Sequence, residues 1–537
     1  MRTYLSGWVC LAALLTIGCG DMPSSIPQTS FTLLSGSENK DLEPILQRYA
    51  AQQQVALTVS YLGSVEMELQ LESGNVAADA VLPASSIWLQ VGDTHHLVKD
   101  AKSVMRSPVV FGVSMPIAKE LGWVGNKDVS VDDILAQAET GRIRFAMTSA
   151  SQSNSGAMAY LGFLSAFAGH PDVLTRANVD DPAVQDKARR LFATVNRSTG
   201  SSGFLKDLYL KDPSAMDAMF NYESMIVATD RELEKSGADP LCAVYPRDGL
   251  EVADYPLGFV DHGDAAKAAF FHGLQDFLLL PATQKEIGTY GRRTGDSVIA
   301  EAPDASVFRS DWCVDTERML SPSPLPTADV IGAALETYQT VLRKPSRTLY
   351  VLDLSGSMKG ERLVELKKAM RTVIDPAEAR RNRLQASSRD VVEVFVFSDK
   401  TEKLGEVDGN DAAQLRALNV EIQRMEIGGG TMLHTAVTDV LEAQRLFQAA
   451  HPGRSDPDHV SHSLPSIIVM TDGDGRDNPA IFADYMAAHP EMGDTPIYAI
   501  RFGEANSTQL DAMSTKGRVF DGTKDLGKAM REARGYN

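Results

Sequence analysis

Positive charge is scarce in this sequence: 52 Lys and Arg stand against 71 Asp and Glu, a formal net charge of -19 over 537 residues. Nucleic acid and anionic lipid both reward dense Lys and Arg, so neither is an expected partner. Cysteine is scarcer still, with four residues, and two of those fall within the first 19. At most one intrachain bridge is left for the rest of the chain. No apolar stretch beyond the N-terminal segment has the length of a membrane-spanning helix. His-Glu-x-x-His, phosphate-loop and Gly-x-Ser-x-Gly patterns are all missing, and nothing else singles out an enzyme. What is present is 43% hydrophobic and 23% charged residues, a globular balance. The length exceeds one core and predicts several domains.

The first residues combine Arg2 with a short apolar run over 5–17, then Gly18 and Cys19. The run is too short to span a bilayer and reads as a signal peptide. Leu15-Thr16-Ile17-Gly18-Cys19 resembles a bacterial lipobox, with Thr16 where Leu is usual. The resemblance implies lipidation of Cys19 and a chain anchored to a bacterial membrane in the cell envelope, facing periplasm or exterior. Cys10 leaves with the signal segment. Cys242 and Cys313 remain in an oxidising compartment, either as a disulfide or as two buried thiols.

Residues 20–30 read as a polar tether. Strand patterns at 31–34, 55–61 and 80–82 each run into a Ser-bearing turn and a helix, which predicts a parallel sheet with its loops at the strand carboxyl ends. Further strands are expected at 109–113, 143–147 and 225–227, and helices over 265–279 and 282–290. Pro303, Pro322, Pro324 and Pro326 mark a linker, placed at 306–328. The first domain is thus assigned to 31–305, and a second α/β domain with a preceding helix to 329–537.

In the second domain, the apolar run 349–352 ends in Asp353-Leu-Ser355-Gly-Ser357, Thr431 follows a Gly-Gly-Gly stretch, and the run 467–470 ends in Thr471-Asp472. These residues resemble the von Willebrand factor A family, whose metal-ion-dependent adhesion site uses Asp-x-Ser-x-Ser, a distant Thr and a distant Asp. The resemblance implies a doubly wound, Rossmann-like domain that holds Mg²⁺ (or Mn²⁺ or Ca²⁺) at Asp353, Ser355, Ser357, Thr431 and Asp472. Hydroxyl oxygens suit a hard cation. A protein partner presenting an Asp or Glu carboxylate would complete the coordination. Asp474 and Asp477 read as solvated turn residues, since the Glu of a calcium loop is missing at Ala483. His434 is assigned to surface or core, and His95-His96 to an exposed loop.

The first domain resembles type 2 periplasmic solute-binding proteins through Ser35-Gly-Ser-Glu-Asn-Lys40, Ala78-Asp-Ala-Val81 with Ser85-Ser86, the Ser-rich turn at 149–156 and Asn221-Tyr222-Glu223. The resemblance implies two lobes closing on a small solute or anion. Ser37, Ser64, Ser86, Ser153 and Tyr222 are its candidate contacts. Each serine has a second reading as a helix N-cap, and Tyr222 one as core. Arg144 and Arg247 are candidates to neutralise an anion. The expected whole is an α/β chain, a two-lobed binding-protein-like domain followed by a von Willebrand factor A domain, acting as a non-enzymatic binder. A solute receptor for a permease and an adaptor for assembly of a larger complex are the alternatives.

Overall fold

The computed structural model describes residues 29–294, 304–318, 324–451, 463–503, 505, 507–514 and 518–534. The signal segment and Cys19 lie outside these residues. No helix among them is long and apolar enough to cross a membrane.

The described strands form three sheets. In the first, Val55–Leu62, Thr29–Gly36 and Ala80–Leu82 run parallel, and Pro256–Val260 and Val98–Ser103 close the sheet antiparallel. The second is built on Ser107–Ser114, a Val/Phe-rich strand buried at seven of its eight residues, as expected of a strand covered on both faces. It pairs antiparallel with Ala218–Tyr222, Leu241–Val244 and Val252–Ala253, while Phe145–Thr148 and Val195–Thr199 extend the sheet. Because Val98–Ser103 leads into Ser107–Ser114, and Val252–Ala253 returns to Pro256–Val260, the chain crosses twice between sheets and makes two lobes. Tyr255, on the return crossing, has φ 43°, and Arg106 on the other crossing pairs with Arg293.

The third sheet has the order Thr401–Asp408, Val391–Phe397, Ser346–Asp353, Leu464–Thr471, Ile497–Arg501, Val519–Asp521. All neighbours are parallel except the polar edge strand Thr401–Asp408, which is antiparallel. Its charged TEKLGEVD sequence blunts the edge and hides it from a hydrophobic pattern search. Helices cover both faces, Glu361–Ile374 and Leu526–Arg534 on one and Leu433–Ala450 on the other.

Three expectations change. Residues 225–227 are not a strand: the strand is Ala218–Tyr222, and Met225, Ile226 and Val227 are buried in the helix Glu223–Ser236. A three-residue apolar run carries no periodicity with which to choose. The linker does not begin at 306, because Val307, Phe308, Trp312 and Val314 are buried with the second lobe, and Cys313 is bonded to Cys242 with Cα atoms 5.0 Å apart. The helix Ala328–Thr337, assigned to the second domain, packs into the first: Val330, Ile331, Ala334 and Leu335 join its core, and Tyr160 donates to the Ala334 carbonyl at 2.9 Å.

The connection beyond that helix is pinned by Asp390, whose carboxylate accepts from the Arg343 guanidinium, from Ser346 N at 2.7 Å and from Ser387 N at 2.6 Å. Burial pushes the Asp390 carboxyl up, but Arg343 outweighs it and the net value is held at about 2, against an ordinary 3.8. A depressed acid stabilises the fold above its unfolded value and loses that contribution as pH falls toward the folded one. Stability measured by urea unfolding therefore declines between about pH 4 and pH 2 partly through this group. Asp390→Asn, which strands the buried Arg343 charge, costs about 3 kcal/mol at pH 7 and flattens that part of the acid profile.

Candidate functional site

The strand Ser346–Asp353 is buried along its whole length, so its sequence ends at Asp353 with the chain emerging at the sheet's carboxyl edge. Three loops meet there. Leu354 N donates to the Phe397 carbonyl at 2.8 Å, Gly428 N to the Leu354 carbonyl at 2.8 Å and Gly356 N to the Gly429 carbonyl at 3.2 Å. The Asp353 carboxylate, fully buried, accepts from Ser355 N at 2.7 Å and from the Thr471 hydroxyl at 2.7 Å. The Ser355 and Ser357 hydroxyls stand 3.0 Å apart, and Ser357 donates to Asp472 at 2.8 Å. Thr431 is buried at the third loop, where its carbonyl accepts from Arg476 N at 2.8 Å. Burial pushes the Asp353 carboxyl up, and the bonds from Thr471 and Ser355 oppose it.

Asp353, Ser355, Ser357 and Asp472 are thus joined in one hydrogen-bonded cluster, with Thr431 on the loop bonded to it. Sequence reasoning missed three neighbours. Arg362, in the first turn of Glu361–Ile374, places its guanidinium 2.5 Å from Asp472. Asp399 accepts from Gly430 N at 2.6 Å and anchors the glycine loop. Gly429 there has φ 76°, and a Cβ would lie 2.4 Å from the Asp399 carboxylate, so glycine is required. Thr471, directly before Asp472, orients Asp353. Position at or just past the carboxyl end of a buried strand is the available signal for Thr471 and Asp399. Among the described residues no group of three or more His, Cys, Asp or Glu is placed to hold a metal ion.

Asp477 corrects an expectation. Its side chain is buried, not solvated, and accepts from Thr435 N at 2.7 Å, the Thr435 hydroxyl at 2.8 Å and His434 N at 3.2 Å, with His434 Nδ1 at 2.9 Å. It caps the helix Leu433–Ala450 from a distant loop, leaving orphan N–H groups satisfied. Asp474 is exposed.

In the first domain a cavity of about 670 Å³ opens between the lobes. Ser37 lines it. Ser64, Ser86, Ser153 and Tyr222 do not, because their polar groups are engaged internally. The Ser64 hydroxyl accepts from Ala84 N at 3.1 Å, Ser86 donates to Asp254, the Ser153 hydroxyl faces Ser202 at 3.5 Å, and the Tyr222 hydroxyl accepts from Asn154 at 2.9 Å. None of these serines caps its helix through its side chain. Arg144 is paired with Asp217 at 2.9 Å, and Arg247 lines a separate depression; neither lines the cavity. The cavity is instead lined by Glu38 and Gln152, which lie inside the quoted segments but were not among the candidate contacts, and by Tyr61 and Phe204, which no motif singled out.

A two-lobed module with a cavity at its crossing point, followed by a doubly wound domain with a hydroxyl–carboxylate cluster, defines a binding protein of two modules. Residues 32–293 match the family of bacterial extracellular solute-binding proteins, and residues 349–530 match the von Willebrand factor type A domain. The chain joins a solute-binding domain of that family to a von Willebrand factor type A domain. A comparison with curated proteins gives no match. Among solved structures, a von Willebrand factor type A protein from Catenulispora acidiphila is 17% identical with TM-score 0.29, and covers 36% of this chain. The chain spans 43% of that protein's length. A ferric binding protein from Campylobacter jejuni is 10% identical, covers 57% of this chain and 98% of its own, and has TM-score 0.41. A Thermotoga lettingae transporter solute-binding protein bound with α-D-tagatose is 10% identical, covers 58% and 92%, and has TM-score 0.42.

The capping role of Asp477 is directly measurable. Asp477→Ala removes a helix cap and lowers stability of the second domain by about 1–2 kcal/mol in urea unfolding. Asp477→Asn, which keeps one acceptor, loses less.

Proposed function

We propose that the chain is a non-enzymatic binding protein of the cell envelope, anchored through Cys19, that captures a small solute between its lobes and binds a protein partner through a divalent cation. The observation that supports the second half is the run of oxygens Ser355–Ser357–Asp472, spaced 3.0 and 2.8 Å, beside the buried Asp353 at the carboxyl end of the central strand. These residues fit a hard cation, because hydroxyls and carboxylates are the donors Mg²⁺ takes. The Arg362 guanidinium on Asp472 marks the same carboxylate as a place where positive charge is held.

Ser355, Ser357 and Thr431 would hold Mg²⁺, Mn²⁺ or Ca²⁺, with Asp353 and Asp472 acting through water. A cation bound mainly by neutral hydroxyls keeps most of its charge and offers an open position to an Asp or Glu carboxylate of the partner. The chain's own residues do the positioning. Thr471 and Ser355 N–H fix Asp353, and Asp399 and Gly429 fix the loop that carries Thr431. Arg362 neutralises Asp472, so cation binding there has to compete with a guanidinium.

Isothermal titration of Mg²⁺ into the full chain tests this reading. We expect saturable binding that the Ser355→Ala/Ser357→Ala double variant abolishes. Arg362→Ala, which removes the competing charge, tightens it about threefold to tenfold. Equal isotherms for the parent and the double variant would sink the metal assignment.

A further inference from the structure

The second domain lies across the mouth of the interlobe cavity: its Asn382, Arg518 and Arg531 line the cavity together with Ser37 of one lobe and Gln152 and Phe204 of the other. It is joined to the two lobes by different physics. On the second lobe the joint is packing and the covalent connection. Phe204 packs against the second domain's core cluster of Tyr350, Tyr498 and Phe520, and Arg518 lies over its ring at 5.4 Å. Tyr338, in the connection, packs on Tyr160 and Phe192 of that lobe with ring centroids 5.5 and 5.1 Å apart. Gln339 accepts from the Ser151 hydroxyl at 2.9 Å and donates to the Gln385 carbonyl at 3.0 Å, so lobe, connection and domain share one run of hydrogen bonds.

On the first lobe the joint is charge. The helix Ser64–Glu72 presents Glu66 and Glu68 to the second domain. Arg383 donates twice to the Glu68 carboxylate, at 2.7 and 3.3 Å, and Arg531 reaches Glu66 at 3.5 Å. The Glu68 side chain is 1% exposed and that of Arg383 18%, so the pair is covered while the domain sits in place. Carboxylates covered in this way are costly without the facing cations. Apolar side chains at these positions would make a permanent joint, whereas ion pairs part into two halves that water solvates well.

We propose that these two ion pairs are a clasp: the second domain stays with the second lobe, and the cleft opens when Arg383 and Arg531 part from Glu68 and Glu66. Resting on the reading of the cavity as a solute site, solute enters and leaves through that opening, and the strength of the clasp sets how often it forms. The clasp and the hydroxyl–carboxylate cluster occupy opposite edges of the second domain. A small cavity between the second lobe and this domain is lined by Arg383, Arg343, Lys344 and Leu464, at the amino ends of Ser346–Asp353 and Leu464–Thr471. The cluster stands at the carboxyl ends of the same strands, eight residues or about 25 Å away.

The test reads the cleft mouth by reagent size. In the full chain with Cys10→Ser and Cys19→Ser, the substitution Ser37→Cys places one free thiol on the cavity wall, Cys242 and Cys313 being bonded to each other. Its rate of alkylation by a polyethylene-glycol maleimide is divided by its rate with N-ethylmaleimide, with no solute added. We expect this ratio to rise at least about tenfold when Arg383→Glu and Arg531→Glu are both introduced, with circular dichroism unchanged. Equal ratios overturn the proposal: both high means that the mouth is not covered, and both low that these ion pairs do not hold it. If the double variant does not fold, the parent decides alone, because salt screens a clasp of charges. A ratio that climbs severalfold between about 0.1 and 1 M NaCl then sustains the proposal, and a constant ratio overturns it. With no solute present, neither result bears on whether the cleft takes one.

Discussion

The placement of the two domains depends on one burial: the apolar face of the helix Ala328–Thr337 packed into the first domain's core. A helix that precedes a domain in sequence but is buried with its neighbour cannot act as a flexible hinge, since exposing Val330, Ile331 and Leu335 costs about 1.5–3 kcal/mol for each side chain. The chain then continues through Tyr338 and Leu342, also in that core, to Arg343 and Ser346, both held by Asp390. From the last core residue of one domain to the first clamp of the other there is almost no free chain. The second domain is thereby set over the cleft rather than swinging from it, which is why one cavity has walls from both.

The hydroxyl–carboxylate cluster is organised by burial of charge. Asp353 and Asp472 are removed from water at the ends of two adjacent parallel strands, and each is supported by neutral donors, with a cation on only the second. Such a pair of carboxylates is costly unless positive charge is nearby. The fold supplies one exposed-side guanidinium, long and detachable, in place of a buried lysine or a second arginine that would cancel the site permanently.

Much of this was legible in the sequence. Strand runs such as 349–352 and 467–470 are apolar on both faces, and the residues after them are the site, because a parallel sheet delivers its loops to one edge. Short strands flanked by serines gave the lobes for the same reason. What stayed hidden depends on contacts distant in sequence. Asp477 looks like a turn residue until its helix, more than forty residues earlier, is seen to end against it. Trp312 and Cys313 sit among prolines and polar residues and look like linker, yet a disulfide and a hydrophobic patch hold them to the second lobe. The serines at strand ends read equally as ligand contacts or caps, and the structure uses several as internal struts, while Glu38 and Gln152 from the same quoted segments line the cavity. Composition and spacing identify which residue types gather at an edge, but not which of them turns inward.

The chain crosses between the lobes at 104–106 and 254–255, and again between Val260 in the first sheet and Val307 in the second lobe, so a change in the opening angle has to bend all of these connections together. The second domain grips Glu66 and Glu68 on one jaw and Phe204 on the other. A rigid strut fixed to both arms of a caliper removes its opening angle as a variable. Any change in that angle has to move the second domain or break its contacts with one jaw.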